Sequence, residues 1–172
     1  MMNIVLIGFR GTGKTAVGRV LAQRLGREFI DADEYLEKEA DKTIAQIFAE
    51  GGEAAFREME REIIRELSSR DGVILAAGGG AVLDGRNVAS LKKNGIIFLL
   101  EADASAIERR LTSDEKTNSQ RPPLTDKSFR EEIRNLLKSR KPYYEKAADH
   151  KINTSSLSTR EVVEEILALL PE

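Results

Sequence analysis

The chain has 172 residues, with 27 Lys and Arg against 29 Asp and Glu, a formal net charge of −2 and no cysteine. The charge balance argues against a broad nucleic-acid-binding surface, and the lack of cysteine excludes disulfides, thiolate metal sites and thiol nucleophiles. We expect neither a secretion signal nor a membrane-spanning segment, because the apolar runs are too short. The length predicts a single domain over residues 1–172. We expect a cytoplasmic monomer or small oligomer, and of these we predict the monomer.

Five short apolar runs predict the strands of a sheet, and helix-like segments separate them. The runs lie at residues 4–7, 28–30, 73–76, 96–100 and 150–153. Several are continuously apolar, which is typical of parallel strands covered on both faces. The alternation therefore predicts an α/β fold with a mainly parallel sheet, in which ligands bind beyond the carboxyl ends of the strands.

Local signals predict where several helices begin, end and become buried. Capping-box patterns before apolar runs occur at residues 43–46, 128–131 and 158–161. Gly26 follows a helical stripe and is expected to cap its C-terminal end. A second stripe predicts a buried helix face made of Phe56, Met59, Ile63, Ile64 and Leu67.

The segment GFRGTGKT at residues 8–15 follows the first strand and matches the pattern G-x-x-x-x-G-K-[ST]. Its glycines let backbone N–H groups surround phosphate oxygens, and the next helix points its positive dipole end at the anion. Lys14 is expected to reach the β- and γ-phosphates, and the Thr15 hydroxyl to ligate Mg²⁺. The alternative is a plain glycine turn, which the flanking strand and helix disfavour.

The acid that completes such a magnesium site is not at its usual place. A hydrophobic strand ending in Asp is the common arrangement, but the strand VILA ends in AGGG. Asp31 follows the second strand and is our candidate for Mg²⁺, acting through a water molecule. Asp33 either caps a helix starting near Glu34 or takes part in the chemistry, and the residues alone leave both open.

Two arginines occupy positions that need an explanation. Arg140 continues the apolar stripe of the helix within residues 129–137, so its charge faces inward. It forms an internal salt bridge, snorkels to solvent, or clamps a substrate carboxylate. Arg57 precedes Glu60 by one helical turn and is either part of a solvated ion pair or a functional cation held in one rotamer.

A long polar segment and a glycine run complete the candidate features. Residues 111–127 lack periodicity and predict a loop of the length typical of a lid. Arg121 lies in this segment and Arg110 at its base; Arg121 either stabilises charge on a transferred phosphoryl group or is incidental. The run Gly78–Gly80 either exposes its amides to a ligand or forms a tight turn.

Taken in chain order, these segments resemble those of shikimate kinases, which are P-loop enzymes related to nucleoside monophosphate kinases. The resemblance covers nearly the whole chain and rests on GFRGTGKT, FIDAD, TIAQIFAEGGEAAFREMERE, LAAGGGAV, RRL, QRPPL and KSRKPYY. It implies ATP-dependent phosphorylation of the 3-hydroxyl of shikimate with Mg²⁺, on the route to the aromatic amino acids. It also implies a three-layer α/β/α fold, five parallel strands in the order 2-3-1-4-5, and a flexible lid at about 111–127.

The resemblance assigns residues to the nucleotide by position. The phosphates of ATP would be held by Gly11, Thr12, Gly13, Lys14, Thr15 and Ala16. Mg²⁺ would be served by Thr15 and Asp31. Arg121 would reach ATP from the lid, and Arg110 would lie against adenine. The stretch between these two arginines is a few residues longer than in the shorter members of the family.

The resemblance also assigns residues to shikimate, the acceptor of the phosphoryl group. Asp33 would hold substrate hydroxyls near the attacking oxygen, and Arg57 with Arg140 would clamp the shikimate carboxylate. Glu60 would support Arg57. Backbone contacts to the substrate would come from Gly78, Gly79 and Gly80. The catalytic residues implied are therefore Asp33, Lys14 and Arg121.

Two other functions share part of this pattern. A kinase for another polyol acid, such as gluconate, has the phosphate loop but not the combination of FIDAD, the triple glycine and the contexts of Arg57 and Arg140. A guanine-nucleotide switch needs an N-K-x-D segment that reads the base, and the sequence contains none. The partners that we expect are thus shikimate and ATP, without nucleic acid or membrane.

Overall fold

Strands and helices alternate along the chain, as predicted. The computed structural model describes residues 1–112 and 129–172. The strands are β1 (Asn3–Ile7), β2 (Phe29–Asp31), β3 (Ile74–Ala76), β4 (Gly95–Glu101) and β5 (His150–Asn153). The helices are α1 (Lys14–Leu25), α2 (Ala32–Ala40), α3 (Ile44–Ser68), α4 (Gly85–Lys93), α5 (Ala104–Thr112), α6 (Phe129–Ala147) and α7 (Thr159–Leu169), with a 3₁₀ turn at Ala81–Leu83.

The five strands form one parallel sheet in the order β2-β3-β1-β4-β5. The predicted fold class and strand order are therefore confirmed. Asp31 at the end of β2 lies beside Ala76 at the end of β3, and Ile7 at the end of β1 lies beside Leu99. Because the strands are parallel and in this register, the segments after β1, β2 and β3 emerge at the same edge of the sheet.

Apolar side chains cover both faces of the sheet and produce three layers. Ile4 and Leu6 of β1 join a core with α1 and α7, whereas Val5 and Ile7 join a core with α3, α4, α5 and α6. Successive side chains of a strand point to opposite faces, so a strand buried on both faces has to be apolar throughout. Within the two described ranges, no helix is long and apolar enough to cross a membrane.

Caps define several helix ends as the sequence predicted. Thr43 and Gln46 form a reciprocal capping box at α3, and Ser158 and Glu161 form another at α7. Gly26 ends α1 in the left-handed conformation. The third predicted box begins at residue 128, which lies outside the described residues. The two capping boxes satisfy amide groups of the first helical turn, and the Gly26 N–H satisfies the Ala22 carbonyl in the last turn of α1.

The start of α2 differs from the prediction. The helix begins at Ala32, and its N-cap is Asp31, whose Oδ1 accepts hydrogen bonds from the N–H groups of Asp33 (3.0 Å) and Glu34 (3.2 Å). The capping alternative for Asp33 is therefore wrong, because this residue already lies in the first turn.

Two further predictions need correction. Met59 was expected in the buried stripe of α3, but it is 36% exposed and its neighbour Glu60 is 3% exposed. The buried position is filled by a carboxylate because Arg57 of the same helix binds it. The predicted loop at 111–127 begins too early, since α5 continues through Thr112 and buries Leu111. Residues 113–127 of that prediction lie outside the described residues.

Candidate active site

The loop between β1 and α1 has the conformation expected of a phosphate cradle. Gly8 has φ 142°, and a Cβ at this position would lie 2.3 Å from the carbonyl oxygen of Leu100. Only glycine fits this close approach of two backbones. Gly13, with φ 99°, is the N-cap of α1, so the first amides of that helix face the loop. An anion placed here meets both the loop amides and the positive end of the helix dipole.

Lys14 lies at the centre of this loop. Its Nζ donates hydrogen bonds to the carbonyl oxygens of Gly8 (2.7 Å) and Phe9 (3.0 Å). The buried hydroxyl of Thr12 donates to the same Phe9 carbonyl at 2.7 Å. These bonds hold the ammonium group against the loop backbone, where it adds a full positive charge to the amides around it.

Thr15 and Asp31 meet at the end of β2, although 16 positions separate them in the sequence. The Thr15 hydroxyl donates to Asp31 Oδ2 at 3.0 Å, while Asp31 Oδ1 caps α2. Such a pair offers a hydroxyl that can ligate Mg²⁺ directly and a carboxylate that can hold one of the waters of the ion, as the sequence predicts. The oxygen pair therefore fits the group that the sequence predicted.

The pair is a sparse oxygen site, and the magnesium role of Thr15 and Asp31 stays a prediction. In the part of the chain that the structure describes, no group of three or more His, Cys, Asp or Glu side chains can hold a metal ion. Mg²⁺ suits a sparse site, because it keeps several waters and binds substrate phosphates with only one or two protein ligands.

A second group of residues converges beside the cradle. Asp33 lies in the first turn of α2, directly after β2, and the run Gly78–Gly80 follows the neighbouring strand β3. All three glycines of the run are buried. This is the edge of the sheet at which α/β proteins bind their ligands.

Arg57 of α3 faces Gly80 at this edge. A Cβ on Gly80 would lie 2.5 Å from Nη2 of Arg57, so a larger residue would push the guanidinium away. Arg57 Nη1 donates to Oε1 of the buried Glu60 at 2.7 Å, and its Nε lies 3.5 Å from the exposed Glu53. Burial lowers the pKa of Arg57, but the two carboxylates outweigh burial and raise it above its ordinary value. The guanidinium is thus a fixed, permanent cation.

Arg140 of α6 faces the same glycine run. Its guanidinium carbon lies 5.4 Å from the ring centre of Phe9 in the phosphate loop, and a Cβ on Gly79 would lie 3.4 Å from its Nη1. Among residues 1–112 and 129–172, Arg140 has no carboxylate partner within ion-pair distance. This observation disfavours the internal salt bridge and leaves the cation available to a ligand.

The fold therefore places two arginines against adjacent glycines, next to a phosphate cradle. A profile of the family described as "Shikimate kinase" matches residues 10–171. The chain belongs to the shikimate kinase family. Its membership agrees with the resemblance drawn from the sequence motifs.

Curated shikimate kinases resemble the chain over its full length. The shikimate kinase of Pelotomaculum thermopropionicum is 48% identical over 172 residues, covering 100% of this chain and 97% of that protein. The shikimate kinase of Thermodesulfovibrio yellowstonii is 44% identical over 167 residues, covering 97% of this chain and 94% of that protein.

A solved structure of a shikimate kinase resembles the chain more closely than one of a gluconokinase does. The shikimate kinase from Acinetobacter baumannii in complex with shikimate is 38% identical with a TM-score of 0.91, covering 98% of this chain and 92% of that one. A gluconokinase from Sinorhizobium meliloti is only 20% identical with a TM-score of 0.64, covering 97% of this chain and 90% of that one. The gluconokinase likeness shows a shared fold and nothing about the acceptor.

In this member of the shikimate kinase family, hydrogen bonds join the phosphate loop to the start of the β5–α7 loop. Arg110 donates to the carbonyl oxygens of Gly11 (3.0 Å) and Thr154 (2.8 Å). The buried Thr154 hydroxyl lies 2.9 Å from the carbonyl oxygen of Thr12. No sequence motif points to Thr154, although this residue directly follows β5, where ligand-binding segments are expected. The adenine role of Arg110 stays a prediction.

The predicted lid residue Arg121 lies outside the described residues. Its role stays a prediction that rests on the family resemblance.

Proposed function

We propose that the chain transfers the γ-phosphoryl group of ATP to the 3-hydroxyl of shikimate, giving shikimate 3-phosphate and ADP for chorismate and aromatic amino acid biosynthesis. The observation that carries this proposal is the convergence of Arg57 and Arg140 on Gly79 and Gly80 beside the phosphate loop. Two cations beside one glycine run favour an acid as acceptor, and the adjacent cradle favours a phosphate donor.

On the acceptor side, the two arginines bind the carboxylate of shikimate. The planar guanidinium matches a carboxylate with two parallel hydrogen bonds, and Glu60 holds Arg57 in one orientation. The glycines Gly78, Gly79 and Gly80 have no side chains to fill the space, so the substrate ring lies against their backbone. This arrangement fixes the acid end of the substrate and turns its hydroxyls toward α2.

Asp33 binds the substrate hydroxyl that attacks the γ-phosphorus. It lies in the first turn of α2, two residues after Asp31, at the sheet edge from which the glycine run also emerges. The Asp33 carboxylate accepts a hydrogen bond from the substrate hydroxyl, orients the oxygen toward the γ-phosphorus, and takes the proton as the new bond forms. Phosphoryl transfer depends mainly on positioning, so orientation is the larger part of this role.

On the donor side, residues Gly11 to Ala16 hold the phosphates of ATP. Lys14 neutralises charge on the β- and γ-phosphates, and Arg121 adds charge from the lid. Arg110 lies against adenine, as the family resemblance implies, and it also binds the Gly11 carbonyl of the phosphate loop. Thr15 and Asp31 would hold Mg²⁺, which supplies charge neutralisation on the phosphates when bound.

We further propose that the enzyme works as a cytoplasmic monomer whose partners are its two small substrates, with neither nucleic acid nor a membrane involved. The near-neutral charge of −2 supports the absence of nucleic acid among the partners, because binding over a broad surface usually needs an excess of Lys and Arg.

A coupled assay that follows ADP release tests the function. Purified protein with ATP and MgCl₂ receives shikimate, quinate or gluconate in separate reactions. We expect turnover with shikimate at a kcat/KM well above that with either other acid. Turnover of gluconate in preference to shikimate, or ATP hydrolysis independent of any acid, would overturn the proposal.

A further inference from the structure

A side chain of α6 for which the sequence predicts no role binds the backbone of the glycine run. The hydroxyl of Tyr144 in α6 donates a buried hydrogen bond to the carbonyl oxygen of Gly79 at 2.5 Å. Tyr144 is 5% exposed, and its ring belongs to the core that α6 forms with the sheet. The Tyr144 hydroxyl therefore contacts the Gly78–Gly80 run from the protein core, where solvent does not reach it.

We propose that Tyr144 is a positioning residue that orients the Gly79–Gly80 peptide for binding of the shikimate carboxylate. The peptide unit is planar and trans, so fixing the Gly79 carbonyl also fixes the N–H of Gly80, which points away from Tyr144. Gly80 is the residue that faces the Arg57 guanidinium. A rotation of this peptide would thus change both an amide and the surface against which Arg57 is placed.

The position of Tyr144 on α6 strengthens this assignment. It lies four residues after Arg140, on the same side of the helix by helical spacing, and Arg140 faces Gly79 as well. One helix therefore supplies both the cation for the acid and the hydroxyl that orients the backbone beside it. A bond that spans 65 positions links α6 to the end of β3, so helix and glycine run keep their relative position.

The inference rests on the proposed function, and Tyr144→Phe tests it. This variant removes only the hydroxyl and keeps the buried ring. Tyr143→Phe is the matched control, because its side chain is the neighbouring tyrosine and is 49% exposed. The measurements are KM for shikimate, KM for ATP, kcat and the melting temperature of the wild type and both variants.

We expect Tyr144→Phe to raise the KM for shikimate about tenfold, because the buried Gly79 carbonyl loses its hydrogen-bond donor. The KM for ATP should stay within about twofold, because the lost bond lies beside the shikimate carboxylate and not beside the nucleotide. Tyr143→Phe should match the wild type. A Tyr144→Phe enzyme with lowered melting temperature but unchanged KM for shikimate would overturn the inference and leave the bond purely structural. An equal rise of both KM values would also overturn it. A wild type that does not phosphorylate shikimate would instead overturn the proposed function itself.

Discussion

The Arg57 guanidinium and the Glu60 carboxylate share a hydrogen bond of 2.7 Å within one turn of α3, and the Glu60 side chain is only 4% exposed. A second carboxylate, Glu53, lies 3.5 Å from Arg57 but is 70% exposed. The same cation thus has a buried partner that holds it and a solvated partner that contributes little. Replacing each carboxylate in turn therefore tests how much Glu60 contributes to the position of Arg57, while the charge of Arg57 itself stays unchanged.

Replacing Glu60 by Gln should raise the KM for shikimate about fivefold, because a charge-assisted hydrogen bond becomes a neutral one and Arg57 is held less firmly. Glu53→Gln is the control and should change the KM by less than twofold. Steady-state kinetics of both variants at saturating ATP measure the effect. Equal KM values for the two variants would contradict the supporting role of Glu60.

The clamp role of Arg140 predicts that charge alone cannot replace the guanidinium. Arg140→Lys keeps the cation but loses the planar fork, and it should raise the KM for shikimate about tenfold with a smaller change in kcat. Arg134→Lys, an exposed position on the same helix, is the control. If Arg140→Lys loses stability but keeps its KM, the arginine serves the fold rather than the substrate.

The close approach of Gly80 to Arg57 predicts a steric effect. In Gly80→Ala the new Cβ would lie 2.5 Å from Nη2 of Arg57, so the guanidinium has to move. Displacing the guanidinium should raise the KM for shikimate about tenfold if Arg57 binds the acid. Gly85→Ala has nothing within 4 Å of the new Cβ and should behave as the wild type. A normal KM in Gly80→Ala would place the carboxylate elsewhere.

Asp33→Asn should lower kcat by about a hundredfold or more, since an amide orients the reacting hydroxyl less well than a carboxylate and cannot take its proton. The variant should still bind ATP with wild-type affinity, which calorimetric titration measures. Glu39→Gln, an exposed change near the end of the same helix, controls for loss of charge on α2. Near-normal turnover of Asp33→Asn would remove this residue from the mechanism.

Asp31→Asn separates the two roles of Asp31, which are capping α2 and serving Mg²⁺. Asparagine caps helices as well as aspartate does, so the melting temperature should stay within about 2 °C of the wild type. The Mg²⁺ concentration for half-maximal activity should rise about tenfold, as expected when a carboxylate beside the metal becomes an amide. Asp41→Asn, at the left-handed C-cap of α2, is the control. A Mg²⁺ dependence equal to the wild type would contradict the metal role.

The features that could be predicted from the sequence depend on local patterns. The strands were visible because each had to be apolar on both faces, and the phosphate loop because its glycines and Lys14 stand at fixed spacing. The phase of α3 was misjudged at Met59 and Glu60, since periodicity alone does not show that an arginine on the same helix makes a buried carboxylate favourable.

The contacts that the sequence did not reveal join distant segments. Tyr144 binds Gly79 across 65 positions, and Arg110 binds Thr154 across 44. Neither bond leaves a periodic or spaced pattern, because its geometry depends on how helices pack against the sheet. In this shikimate kinase family member, sequence motifs therefore locate the candidate site, and tertiary packing determines how its backbone is oriented.

The most direct test of the account is the structure of the product. A reaction of the purified protein with ATP, MgCl₂ and shikimate is followed by ³¹P and ¹H NMR. The account predicts one new phosphomonoester, on the 3-hydroxyl of shikimate, formed in equal amount to ADP. Phosphate on another hydroxyl, or ADP accompanied only by inorganic phosphate, would contradict it.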